Sequence, residues 1–223
     1  MDATNNLPQV LDALNDAVFQ GKTITNAQRE KASQLFLSRQ LKRGQFSGLF
    51  APTRAELDAG IRLFTGERLR THLGPRNVCS AEIGRLCLLL GLAYPQVRQA
   101  LERLQQALLA SCFAADLCTI GECAHSGAAF MRYLAAGGTP DAGARLDTHL
   151  RLLADTRDGR GGWRRFHFYY TLLALTEIDL PPAVAELRYA ASLRRQPPRR
   201  SGTLPQEYLA RRHLLWERVL ARC

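Results

Sequence analysis

The chain has 223 residues, 46% of them apolar and 22% charged, a balance that supports a sizeable core without staples and excludes a disordered chain. Its formal charge of +10 comes from 30 basic and 20 acidic residues, and the only lysines are Lys22, Lys31 and Lys42. The longest apolar run, about eight residues from Cys87 to Tyr94 and broken by Gly91, falls far short of the roughly 18 a membrane span needs.

Ala, Leu and Arg dominate and β-branched residues are scarce, which favours helix throughout. Leu7, Val10, Leu11, Leu14 and Val18 share one face at spacings of three and four, and Gln20-Gly21-Lys22 ends that helix. Thr25 and Gln28 form a capping box for a second helix carrying Ala32, Leu35, Phe36 and Arg39, which stops near Gly44. Phe50-Ala51-Pro52 is a break. Thr53 and Glu56 then form another capping box, with Leu57, Ile61 and Phe64 as the buried stripe behind it. After Gly74-Pro75, Ser80 caps a helix with Ile83, Leu86, Cys87 and Leu90, apolar on most faces and so expected at the centre. Pro95 opens the next, with Val97, Leu101, Leu104 and Leu108 inward.

Beyond Cys118, residues 122–136 are rich in Ala and Gly, so a neighbouring helix can approach closely. Gly137-Gly138 ends this helix. Thr139-Pro140 starts another, with Leu146, Leu150 and Leu153 inward. A turn runs from Asp155 to Gly162. Phe166, Tyr169, Tyr170, Leu173 and Glu177 mark the following helical face, and Pro181-Pro182 opens a helix with Val184, Leu187 and Ala191. Residues 196–202 read as a basic, Pro-rich linker before a last helix near Pro205 with Leu209, Trp216, Val219 and Leu220. No period-two strand pattern occurs. The expected fold is all-α: about ten helices in an array of antiparallel hairpins, with a helical domain over 1–195 and a basic linker and C-terminal helix over 196–223.

Arg157-Asp158-Gly159-Arg160-Gly161-Gly162-Trp163 is the most distinctive stretch. Asp158 can close a turn through its side chain, glycines supply positive φ, and Trp163 can pack beneath. The stretch resembles the Asp-Gly-Gly-Trp turns between helices in the terpenoid cyclase and protein prenyltransferase superfamily. That resemblance, over residues 121–195, implies a partial alpha/alpha toroid. It also implies a cavity near the turn, lined by Asp158, Trp163, His167 and Tyr170, and as an alternative function an isoprenoid or cyclase-type enzyme. Zinc-bearing toroids exist in that superfamily and among lanthionine-type cyclases. The run from Trp163 through Phe166-His167-Phe168-Tyr169-Tyr170 to Asp179, together with Glu186-Leu187-Arg188-Tyr189, also resembles uncharacterised bacterial helical proteins, which implies no activity.

Cys118, Cys123 and His125, with Cys112 upstream, are a candidate zinc set, since zinc takes thiolate and imidazole ligands in tetrahedral geometry. If a helix begins at Glu122, Cys123 and His125 point about 200° apart and cannot share a metal. The expectation is therefore core thiols, with zinc the alternative. The aromatic run 166–170 is expected to be core with one or two members facing a cavity, and His167 to make a structural hydrogen bond rather than act as an acid or base. From Leu187 to Cys223 there are nine Arg against two Glu; the expectation is a solvated surface, with contact to nucleic acid through this charge as an alternative. Asp-x-Asp-Asp, Gly-x-Ser-x-Gly, Walker and dinucleotide-binding motifs are all missing. The first residues, Met1 to Asn6, lack the basic and apolar regions of a secretory signal, so the chain is expected in the cytoplasm with its six cysteines as thiols or ligands. Together these readings point to a helical module that binds a small ligand or a protein partner.

Overall fold

The computed structural model describes residues 6–115, 118–193 and 204–223. Within them the chain is all-helical. Asn6 accepts the Gln9 amide at 3.0 Å and starts α1 (Leu7–Phe19), with Pro8 in the first turn. The Thr25–Gln28 box caps α2 (Asn26–Arg39) with both reciprocal bonds made. The Thr53–Glu56 box does the same for α3 (Arg54–Ala59). Glu56 has a wider role. Its carboxylate, 4% exposed, also accepts the Leu7 amide at 2.7 Å and pairs with Arg39 at 3.1 Å, joining the start of α1 to the end of α2. The buried acceptor is thus filled by charged and neutral donors together.

Two expectations change here. Ile61 and Phe64 are buried, but not on a helix, because Gly60 at φ +85 ends α3. The chain instead folds back through a short pairing of Arg62 with Arg68. Ser80 is not a cap: α4 (Leu73–Leu89) begins seven residues earlier and runs through Gly74-Pro75. Pro75 is tolerated because the first-turn amides have no intrahelical partner to lose. The Ser80 hydroxyl donates to the Phe50 carbonyl at 3.0 Å and accepts the Phe50 amide at 2.8 Å, pinning the preceding loop to the middle of α4.

The remaining helices are α5 (Pro95–Leu109), α6 (Cys112–Ala115), α7 (Cys123–Ala135), α8 (Ala142–Ala154), α9 (Phe168–Thr176), α10 (Pro181–Leu193) and α11 (Gln206–Ala221). The expected first turns at Thr139-Pro140 and Phe166 lie just outside α8 and α9, a shift of two residues in each case.

α4 and α7 pack most extensively and are buried on nearly every face. Small residues allow this: a Cβ on Gly84 of α4 would meet Tyr133 of α7 at 2.8 Å and Leu104 of α5 at 2.7 Å. Around this pair, α1 and α5 lie on α4, while α6, α8 and α9 lie on α7; α10 and α11 complete the layer over α9. No described helix is long and apolar enough to cross a membrane.

The linker expected at 196–202 lies outside the described residues. The last helix is part of the common core, with Leu215, Trp216 and Val219 buried. Leu209 and Leu220, expected inward, are exposed. Arg211 grips Asp12 through two nitrogens at 2.7 and 2.8 Å and reaches Asp16 at 3.2 Å, while Arg212 pairs with Glu67 at 3.2 Å.

Candidate metal centre and cavity

Three of the cysteines meet at one place on the edge of the helical core. Cys112 opens α6, Cys118 sits in the loop after it, and Cys123 is the first residue of α7. Their sulfurs all lie within 4.8 Å of one another, and the Cys112–Cys123 pair is 3.8 Å apart. Three thiols this close raise one another's proton affinity. Burial, reinforced by Cys112 and Cys118, pushes the Cys123 thiol up to about 12. A bound divalent cation reverses that order, because thiolates then have an opposite charge to face.

The Cys112–Cys123 distance fits such a cation. With Zn–S bonds of about 2.3 Å, a tetrahedron has an S···S edge of about 3.8 Å. Cys79 and Cys87 are buried, whereas in this trio Cys112 is exposed and the others are half-buried. They sit where a loop enters a helix, at the edge of a cavity rather than between packed helices. His125 is not in the group. Because α7 begins at Cys123, its ring points away into the interior and stacks on His167 at 3.7 Å. Burial lowers the His125 pKa despite nearby Glu122, and its Nδ1 makes no hydrogen bond among the described residues.

Cys112 and Cys123 line a cavity of about 960 Å³ between the loop at 44–49, the start of α4, the end of α5 and residues 110–113 and 120–126. That volume is at the upper end for a small-molecule site. Ile120 and Leu73, both exposed large apolar side chains, stand at its rim. Glu122 anchors one wall by accepting the Arg70 amide, the Thr71 amide at 3.0 Å and the Thr71 hydroxyl. It thereby ties the segment before α4 to the start of α7.

The turn at Asp158 has another task. Asp158 accepts the amides of Arg160 at 2.7 Å and Gly162 at 2.9 Å, as an Asp-closed turn should. Trp163 is 4% exposed and donates its indole N–H at 2.8 Å to Glu186 of α10, which Arg157 grips through two nitrogens at 2.6 and 3.1 Å. The Tyr189 hydroxyl accepts the Gly159 amide at 2.9 Å. These bonds lock the turn onto α10. Of the four residues expected around a cavity here, Asp158 and Trp163 hold this lock, His167 stacks on His125, and only Tyr170 lines a described cavity, one of about 30 Å³ with room for a single water. The turn does lean on the cysteine loop: Arg165, in the left-handed region at φ 68, donates to the Thr119 carbonyl at 3.3 Å.

Sequence spacing offered no hint of the cluster around Tyr170. Arg132 of α7 donates to Glu177 at 2.8 and 2.9 Å and to Glu82, while Arg85 donates to the other side of Glu177 at 2.6 and 3.1 Å and to Asn15 at 3.0 Å. Tyr170 donates its hydroxyl to Glu82. Burial raises the Tyr170 pKa well above its ordinary value, and Glu82 adds to this. For Glu177 burial works upward, but Arg132 and Arg85 outweigh it and hold the carboxyl below its ordinary 4.5. The two cations and two carboxylates balance at the centre of the fold. This is a structural clasp joining α1, α4, α7 and α9.

The basic C-terminal region is also largely engaged. Of its nine arginines, the five that are described all donate to groups of this chain, Arg188, Arg218 and Arg222 to backbone carbonyls and Arg211 and Arg212 to carboxylates as well. No family, no curated protein and no solved structure matches the chain.

Proposed function

We propose that this chain is a ligand-binding module with a zinc ion held by Cys112, Cys118 and Cys123 at the rim of its cavity. The observation that carries the reading is the meeting of three sulfurs within 4.8 Å of one another, with Cys112 and Cys123 3.8 Å apart on the wall of a cavity. Three protein ligands leave one position for an exogenous one, the arrangement of zinc sites that act on or hold a small molecule rather than only staple a fold. Bound zinc would supply a Lewis acid and an anchor for a ligand atom. The chain's own part is to present thiolates on a loop and a helix start, beside walls that mix apolar and polar side chains.

Elemental analysis of protein purified without added metal is expected to give about one zinc per chain, lost in Cys112→Ser, Cys118→Ser and Cys123→Ser alike. Chelation should lower the melting temperature of the parent protein and leave those of the three variants unmoved. Far less than stoichiometric zinc, together with a melting temperature indifferent to chelator, would return the trio to ordinary thiols. The isoprenoid or cyclase-type activity suggested by the turn is a narrower form of this proposal, and it rests on the sequence resemblance alone.

A further inference from the structure

Electrostatics around the cavity distinguish one class of guest from another. Two arginines line it, Arg76 on α4 and Arg103 on α5. Neither has a carboxylate within ion-pair distance among the described residues. Arg103 is satisfied by a neutral partner, donating to the Gln40 side-chain oxygen at 2.9 and 3.2 Å. Arg76 is less well provided for. Its guanidinium carbon lies 3.2 Å from the Phe46 ring centroid, its Nε is buried without a hydrogen bond, and burial lowers its pKa.

A cation kept partly out of water with no anion beside it is costly unless something else supplies the charge. The acidic residue on the cavity wall, Glu122, has both carboxylate oxygens occupied by Arg70 and Thr71. The rest of the lining is a mixture of apolar groups, among them Leu49, Ala107 and Phe113, with amide and hydroxyl side chains such as Asn77 and Ser126. Phe46 covers one side of the Arg76 guanidinium. That leaves the guanidinium edge, which carries the N–H donors, for a planar or tetrahedral oxyanion.

We infer that the cavity takes an amphipathic anion, a small molecule with one acidic head group on an apolar body, and that Arg76 receives the head group. This deepens the ligand-binding half of the function proposed above and does not require the metal.

Two fluorescent probes with the same rings separate charge from apolar contact: 8-anilinonaphthalene-1-sulfonate, an anion, and N-phenyl-1-naphthylamine, its uncharged counterpart. The sulfonate is expected to bind the parent protein at one site, and Arg76→Gln to weaken it at least tenfold while leaving the uncharged probe within twofold. Arg76→Lys should recover most of the affinity. Ala110→Trp, which fills the cavity from an exposed wall position, should remove both probes from the site. Each variant is first matched to the parent by circular dichroism and melting temperature, and Arg103→Gln serves as a second charge-removing variant if Arg76→Gln fails to fold. Equal loss of both probes in the charge-removing variant, or sulfonate binding indifferent to it and to Ala110→Trp, overturns the inference. The same titration on Cys118→Ser shows which reading fails. Anion binding that survives in a zinc-free protein supports this inference whatever becomes of the metal site, whereas stoichiometric zinc without anion binding overturns this inference alone.

Discussion

Arg132→Met is expected to destabilise the protein by about 3–5 kcal/mol, measured by urea or thermal unfolding. Arg132 is 2% exposed and donates hydrogen bonds to both Glu82 and Glu177, whereas Arg85 hydrogen-bonds Glu177 and stands off from Glu82 at 3.9 Å. Methionine fills much of the same volume, so packing is not the principal loss. The loss comes from Glu82, whose carboxylate would keep only the Tyr170 hydroxyl and a distant Arg85 at 3.9 Å. Glu177 retains Arg85 and suffers less. A cost below about 1 kcal/mol would mean that Arg85 alone neutralises the centre. Adding Glu82→Gln should recover part of the loss, because the stranded charge is then removed, and the shortfall from additivity measures the coupling.

The same cluster sets an acid limit. Glu177 has a folded-state pKa below its ordinary 4.5, so its contribution is fully present above that value and disappears as pH falls through the depressed one. Unfolding midpoints should decline below pH 4.5, and the decline should be shallower in Glu177→Gln.

Trp163→Ala is expected to cost about 3–5 kcal/mol through lost burial and an unfilled space beneath the turn. Trp163 packs against Phe168 at 6.2 Å and edge-on to Tyr189 at the same centroid distance. Trp163→Phe separates the two contributions. It keeps most of the apolar contact but drops the bond to Glu186, a loss of about 1.5–3 kcal/mol for a hydrogen bond to a charged acceptor. An unchanged melting temperature in the alanine variant would show that Asp158 and α10 hold the turn without the indole.

What the sequence discloses is local. Both capping boxes, the proline-led helices and the central position of α4 follow from spacing and side-chain chemistry, because their partners lie three or four residues away. Gly60 could have been read as a stop, but the apolar periodicity of Leu57, Ile61 and Phe64 overrode it; burial of Ile61 and Phe64 in a folded-back loop satisfies the same pattern without a helix. The central clasp was hidden because Glu82 and Arg132 meet across 50 residues and Arg85 and Glu177 across 92. Its one visible sign is that Glu82, Arg85 and Arg132 are charges within helices otherwise apolar or small on most faces. The cysteine trio was partly legible: Cys118 and Cys123, with Cys112 upstream, stand close in sequence, Cys112 comes in at the start of α6, and helical period alone argues against His125.

The grip of Arg211 on Asp12 and Asp16 joins residues 199 and 195 positions apart, and Arg218 reaches the Phe19 carbonyl from the same helix. On the ribosome, at about 5–20 residues per second, α1 emerges long before α11 and waits roughly 10–40 s for these partners. Throughout that interval Asp12 and Asp16 lack the Arg211 guanidinium, and only Asp16 has a basic neighbour nearby in sequence, Lys22 at 3.6 Å. The native arrangement closes only once α11 has left the exit tunnel, so a chain released before that helix is made leaves α1 with its contacts to α4 but without the grips of Arg211 and Arg218.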